Sequence, residues 1–304
     1  MVPNRGDLNC KVAFELVDLI MDNCESRSLL QCSLVCRSWL HRCRPQLFKT
    51  VKLNTTSSTL RFASSLGSKY ATIPRYIEDL TLQLNKRSTK LVFPDPNGER
   101  DPENLRWGEI INLIALRFEH KVPKLRRLSV VFRGARMLSV AGADEMTGET
   151  SFISRFASTF EHIIELNLHL PEEEPLALIQ FTCSFPNIQV LRIQCGCVDD
   201  LEDAENAELV QRRAAEWTLP SSLKSLELSR ELSGALDTDG MHHYYQWLNH
   251  QRPLCLAQLS IFKVEVLLQS DPDIQPYLTQ CRDLRLLHMG FDTWWWAPSD
   301  ERGE

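Results

Sequence analysis

One pattern constrains this chain more than any other. Written L-x-x-L-x-L, it occurs at Ile77-Leu80-Leu82, Leu125-Leu128-Val130, Ile163-Leu166-Leu168, Ile188-Leu191-Ile193, Leu223-Leu226-Leu228, Leu256-Leu259-Ile261 and Leu284-Leu287-Met289. All twenty-one positions are large and apolar, and the middle one is leucine each time. The alternation at the end of each motif is that of a short strand with one buried face. The starts lie 48, 38, 25, 35, 33 and 28 residues apart. Pro74, Pro123, Pro186, Pro220 and Pro253 stand two or three residues ahead of five of the motifs, where proline ends a helix and releases an extended chain. Helical spacing fills the gaps: Trp107, Ile110, Ile114 and Phe118; Phe152, Phe156 and Phe160; Val210, Ala214 and Trp217; and, broken by Pro272, Leu267, Ile274, Tyr277 and Cys281. The unit is helix, proline break, strand. One unit cannot bury its own apolar face, whereas stacked units can. Strands joined through helices lie parallel. The expected fold class is α/β with a parallel sheet.

This pattern resembles an irregular leucine-rich-repeat solenoid over residues 48–291. It departs from the regular repeat in its variable lengths. The Asn or Cys three residues past the last apolar position is met only by Asn85. A globular α/β sheet built from the same elements is the alternative. Residues between the apolar positions point to the opposite sheet face. Asp79, Thr81 and Gln83 open this row, and its candidate target-binding residues are Arg127, Glu165, His169, Arg192, Glu227, Phe262 and His288. The row mixes signs, which suits a protein ligand better than a phosphate-rich one.

Ahead of the repeats, Leu16, Leu19, Ile20 and Asn23 or Cys24 fall at helical spacing. Ser26 or Ser28 can cap a second helix carrying Leu30, Leu34 and Val35. A third helix carries Trp39 and Cys43 and is expected to stop before Pro45. Phe48, Val51 and Leu53 then alternate as a first strand. Glu15-Leu16-Val17-Asp18-Leu19-Ile20, Leu29-Leu30, Leu34-Val35-Cys36-Arg37-Ser38-Trp39 and Leu47-Phe48 resemble an F-box, in the divergent form common in fungal members. The family usually opens with Leu-Pro, and Val12-Ala13 stand there instead. The resemblance implies a partner, the adaptor subunit of an SCF ubiquitin ligase and through it a cullin, contacted by Phe14, Leu16, Val17, Ile20, Leu30, Leu34, Val35 and Trp39. Some of these must form the small unit's own core, Trp39 first among them. The implied role is a substrate receptor that holds a target protein. The alternative is a repeat scaffold whose helices only cap the sheet. The expected division is an F-box-like unit at 8–47, the repeats at 48–291, and a cap and tail at 292–304. In the last of these, Trp294-Trp295-Trp296 serves as a lid on the final repeat or as an aromatic patch for a partner.

Composition narrows the function further. With 34 Lys plus Arg against 40 Asp plus Glu, the formal charge of −6 argues against nucleic-acid binding. No apolar run approaches the ~18 residues of a membrane span, and the N-terminus lacks a secretory core, so a cytoplasmic or nuclear location is expected. The ten cysteines then read as reduced thiols. Neither Cys32 with Cys36 nor Cys195-Gly196-Cys197 has a second ligand pair at zinc spacing, so no metal and no cofactor are expected. No phosphate-cradling, nucleophile-elbow or zincin motif is present, and no catalysis is expected. His242-His243 reads as a surface pair, Glu172-Glu173-Glu174 as a helix start, and the acidic run 199–208 as a solvated one. Stretches 94–102, 134–150 and 230–240 read as loops.

Overall fold

The computed structural model describes residues 14–66, 68, 71–85, 107–133, 150–170, 175–195, 217–230, 244, 247–248, 251, 257–267 and 278–291. Helices α1 (Phe14–Asp22), α2 (Ser26–Ser33) and α3 (Arg37–Leu47) come first. Val17 and Met21, one turn apart on α1, pack with Leu29 and Cys43, and Cys24, Cys32, Trp39 and Leu47 close the edge of this small core. Asp18 pairs with Arg42, and Gln46 Nε2 donates to Asp22 Oδ1 at 2.7 Å, tying α1 to α3 at two levels. Two expectations fail here. Glu25, not Ser26 or Ser28, occupies the N-cap of α2, and it makes no side-chain cap bond. α3 also runs through Pro45. In the last turn a missing N–H removes a single bond, and Phe48 N–H still reaches the Arg44 carbonyl at 3.0 Å.

Strand β1 (Thr50–Leu53) follows α3 after two residues, and Phe48 lies in the turn between them, outside the strand. The remaining elements are α4 (Thr56–Leu66), a 3-10 turn (Pro74–Tyr76), β2 (Asp79–Asn85), α5 (Trp107–Phe118), β3 (Arg127–Arg133), α6 (Thr150–Thr159), β4 (Glu165–Leu170), α7 (Pro175–Cys183), β5 (Val190–Cys195), β6 (Ser225–Arg230), β7 (Ile261–Leu267) and β8 (Leu286–Phe291). The eight strands form one sheet in chain order, and every neighbouring pair is parallel.

The register aligns Leu80, Leu128, Leu166, Leu191 and Leu226 across five strands. In β7 it overturns the reading from sequence. Phe262 pairs with Leu226 and Val264 with Leu228, so the motif is Leu259-Phe262-Val264, three residues further on than Leu256-Leu259-Ile261. Leu267 closes β7 and begins no helix. Trp217 lies in irregular chain before β6. Val210, Ala214, Ile274, Tyr277, His242-His243, Glu172-Glu173-Glu174, the acidic run, most of the expected loops and the tryptophans at 294–296 lie outside the described residues.

One backbone joint recurs at every step of the sheet. The carbonyl of the residue just ahead of a strand accepts two successive N–H groups from the next unit. Lys49 receives Glu78 and Asp79, Glu78 receives Arg126 and Arg127, and Arg126 receives Ile164 and Glu165, all at 2.8–3.0 Å. Ile164, Gln189, Lys224 and Ser260 repeat the arrangement toward β8. Ser260 follows Leu259, so the joint independently supports the corrected register.

The helices cover one face of the sheet. Leu80, Leu82, Leu128, Leu166 and Leu191 are buried there with Ile114, Phe118, Phe156 and Ile179 in a single large cluster. Phenylalanines bind adjacent helices to one another: Phe62 lies 6.2 Å from Phe118, Phe118 5.9 Å from Phe160, Phe160 4.8 Å from Phe156, and Phe156 5.7 Å from Phe181. Phe118 is fully buried and links two of these contacts. Phe118→Ala is therefore expected to cost about 3–5 kcal/mol, read as a fall in the urea midpoint of unfolding.

Candidate functional site

Two surfaces stand out. The first is on the helical unit, where the apolar stripe of α1 formed by Leu16, Leu19 and Ile20 faces outward. Val17, only 6% exposed, belongs to the unit's own core and is not available to an adaptor. Trp39 is half-buried against that core. Leu16, Ile20, Leu30, Leu34 and Val35 are all exposed, Leu34 by 82% and Val35 by 66%. Leu19 joins them, although the sequence reading gave it no binding role. Phe14 opens α1, but its side chain lies outside the described part. Six large aliphatic side chains exposed on one small unit form a concentration that a free surface does not usually carry.

The second surface is the open face of the sheet. Arg127 Nη1 reaches Asp79 Oδ2 at 3.1 Å, and its Nε reaches Glu165 Oε2 at 2.8 Å. Arg192 pairs with the other oxygen of Glu165 and, through Nε at 2.9 Å, with Glu227 Oε2. Lys263 Nζ lies 3.4 Å from Glu227 Oε1. Acid and base thus alternate over six neighbouring strands, Asp79–Arg127–Glu165–Arg192–Glu227–Lys263. The register explains the order. Asp79, Arg127 and Glu165 are paired positions, as are Arg192, Glu227 and Lys263, and Arg192 reaches back diagonally because its own partner is Asn167.

Burial of the Glu165 carboxyl opposes its ionisation more than any other single influence. The hydrogen bonds and charges of Arg127 and Arg192 together outweigh it and hold the group below the ordinary glutamate value. Partial burial likewise works against the Arg192 cation, and its two glutamates override that to leave it more firmly protonated than usual. Beside the ladder the face sinks into a cavity of about 290 Å³. It is lined by Ser129, Val131, Asn167, His169, Gln194 and Ser229, with Arg192, Glu227 and Lys263 along one side. Asn167 Nδ2 donates to Ser129 Oγ at 3.1 Å, and Arg192 Nη1 to Asn167 Oδ1 at 3.2 Å.

Of the residues expected on this face, Arg127, Glu165, Arg192 and Glu227 come together in the ladder, and His169 joins the cavity. His288 is exposed on β8 and pairs in register with Lys263. Phe262 does not belong here: it is buried in the core, on the helix side of the sheet, because the motif in β7 starts three residues later. Lys263 holds the place assigned to it. Among the described residues, no group of three or more His, Cys, Asp or Glu converges to hold a metal ion, and no helix is long and apolar enough to cross a membrane. No protein-family model matches this chain, and neither does any curated protein.

A carboxylate whose folded pKa is depressed contributes stability that is complete above its unfolded value and is lost as pH falls through the folded one. Glu165→Gln should therefore be less stable than the wild type at pH 7. The gap in urea midpoint should close as the pH drops below about 4.3, the ordinary glutamate value. A gap that widens on acidification would contradict the ladder.

Proposed function

We propose that this chain is a substrate-receptor subunit of an SCF-type ubiquitin ligase. Its first three helices act as an F-box that docks on the adaptor subunit, and its leucine-rich-repeat-like units hold a target protein. The observation that carries this reading is the division of labour within the helical unit. Val17, Met21, Leu29 and Cys43 close the unit's own core, while Leu16, Leu19, Ile20, Leu30, Leu34 and Val35 remain outward. All six outward residues fall within the segments that resemble the F-box. Each such side chain covered by a partner is worth about 1.5–3 kcal/mol when fully buried, so the patch has ample driving force for a stable contact.

The chain itself catalyses nothing in this reading. It raises the effective concentration of target lysines near the conjugating machinery by holding the target in place. Only two residues separate α3 from β1, which limits how far a docked adaptor and the sheet can swing apart. A second reading is an interaction scaffold whose helices no longer engage the adaptor, and Val12-Ala13 in place of Leu-Pro favours it.

Purified adaptor separates the two. Capture by the wild type, lost in the double variant Leu16→Asp with Val35→Asp, is the expected result. Both positions are exposed, so the free energy of unfolding from urea titration should change by less than about 0.5 kcal/mol per substitution. Val17→Asp should instead unfold the helical unit. Soluble, folded wild type that captures no adaptor would leave the scaffold reading.

A further inference from the structure

The ion-pair ladder has an asymmetry that a sum of its charges hides. Three carboxylates and three cations give a formal total of zero. The side chains of Asp79, Glu165 and Glu227 retain only 15–23% of their exposure, while those of Arg127, Arg192 and Lys263 retain 37–50%. The hydrogen bonds show the same bias. Both oxygens of Glu165 and both oxygens of Glu227 are already engaged. Each guanidinium is engaged through Nε and Nη1, so the Nη2 hydrogens of Arg127 and Arg192 have no partner among the described residues. Lys263 spends its ammonium on one carboxylate oxygen, and the next strand places the exposed His288 beside it. The side turned to solvent therefore offers donors and positive potential, with the acids sunk beneath.

We propose that this face takes a short acidic segment of a protein partner. Its carboxylates would lie over Arg127, Arg192 and Lys263, and its backbone over the neutral amides and hydroxyls of the adjoining cavity, Asn167, Gln194 and Ser229. A polyphosphate chain fits less well. Glu165 and Glu227 lie within 3.5 Å of the same cations, and the chain as a whole carries −6. The inference rests on the receptor reading only for the role of the bound segment, and docking of the helical unit on an adaptor is independent of it.

The test uses the full chain and three fluorescein-labelled peptides on one Gly-Ser frame, identical except for Glu, Gln or Lys at two positions, read by fluorescence anisotropy. At low salt the Glu peptide should bind about tenfold more tightly than the Gln peptide, the size expected of two or three half-exposed ion pairs, and the difference should shrink as salt is added. Lys263→Gln should weaken the Glu peptide about threefold and leave the Gln peptide unchanged. Arg127→Gln, on the far side of the ladder, repeats the test should the first variant fail to fold. Equal binding of the Glu and Gln peptides overturns the proposal. So does tighter binding of an oligouridylate, or of a phosphoserine peptide on the same frame. Adaptor capture on the same preparation keeps the two readings apart: lost capture with intact peptide binding rejects the receptor alone, and the converse rejects the acidic ligand alone.

Discussion

A single shared carbonyl, repeated at each step, is the joint on which this molecule depends. Lys49, Glu78, Arg126, Ile164, Gln189, Lys224 and Ser260 each accept two N–H groups from the following unit. That contact sets where the next strand begins, and the strand start sets which side chains face the helices. A slip of one residue would exchange the two faces, driving charged residues into the core and leucines into water. The apolar cluster and the polar ladder are therefore two results of one register.

The two faces stabilise the sheet by different physics. On the covered side the gain is area removed from water and close contact between rings, with Phe62, Phe118, Phe156, Phe160 and Phe181 passing from helix to helix. On the open side it is charge alternation across neighbouring strands, where each acid is held between two bases or beside one. Half-exposed ion pairs contribute modestly one at a time. Arranged as a ladder they also give the face a defined polarity in depth.

Much of this was legible beforehand. The recurrent motif located β2 to β6, and apolar periodicity located α5 and α6. The failures have specific causes. Leu256-Leu259-Ile261 and Leu259-Phe262-Val264 satisfy the same pattern, and only pairing with β6 chooses between them. α1 is apolar on several sides, so spacing alone could not say whether Leu16 or Val17 turns inward. α4 carries six Ser and Thr residues in eleven and shows little apolar signal. Its start is fixed locally instead, by the Ser58 N–H donating to Thr55 Oγ1 at 3.0 Å. The ladder joins residues 27 to 48 positions apart, so nothing local in the chain announces it.

The sheet's order is also the order of synthesis. Each strand pairs with the one made just before it, so no strand must wait for a distant stretch of chain before it can dock. Loop closure at every step spans one unit, and the entropy to be overcome stays small and nearly constant. Such a chain is suited to assembling from its first strand onward as it leaves the ribosome, each finished layer serving as the template for the next.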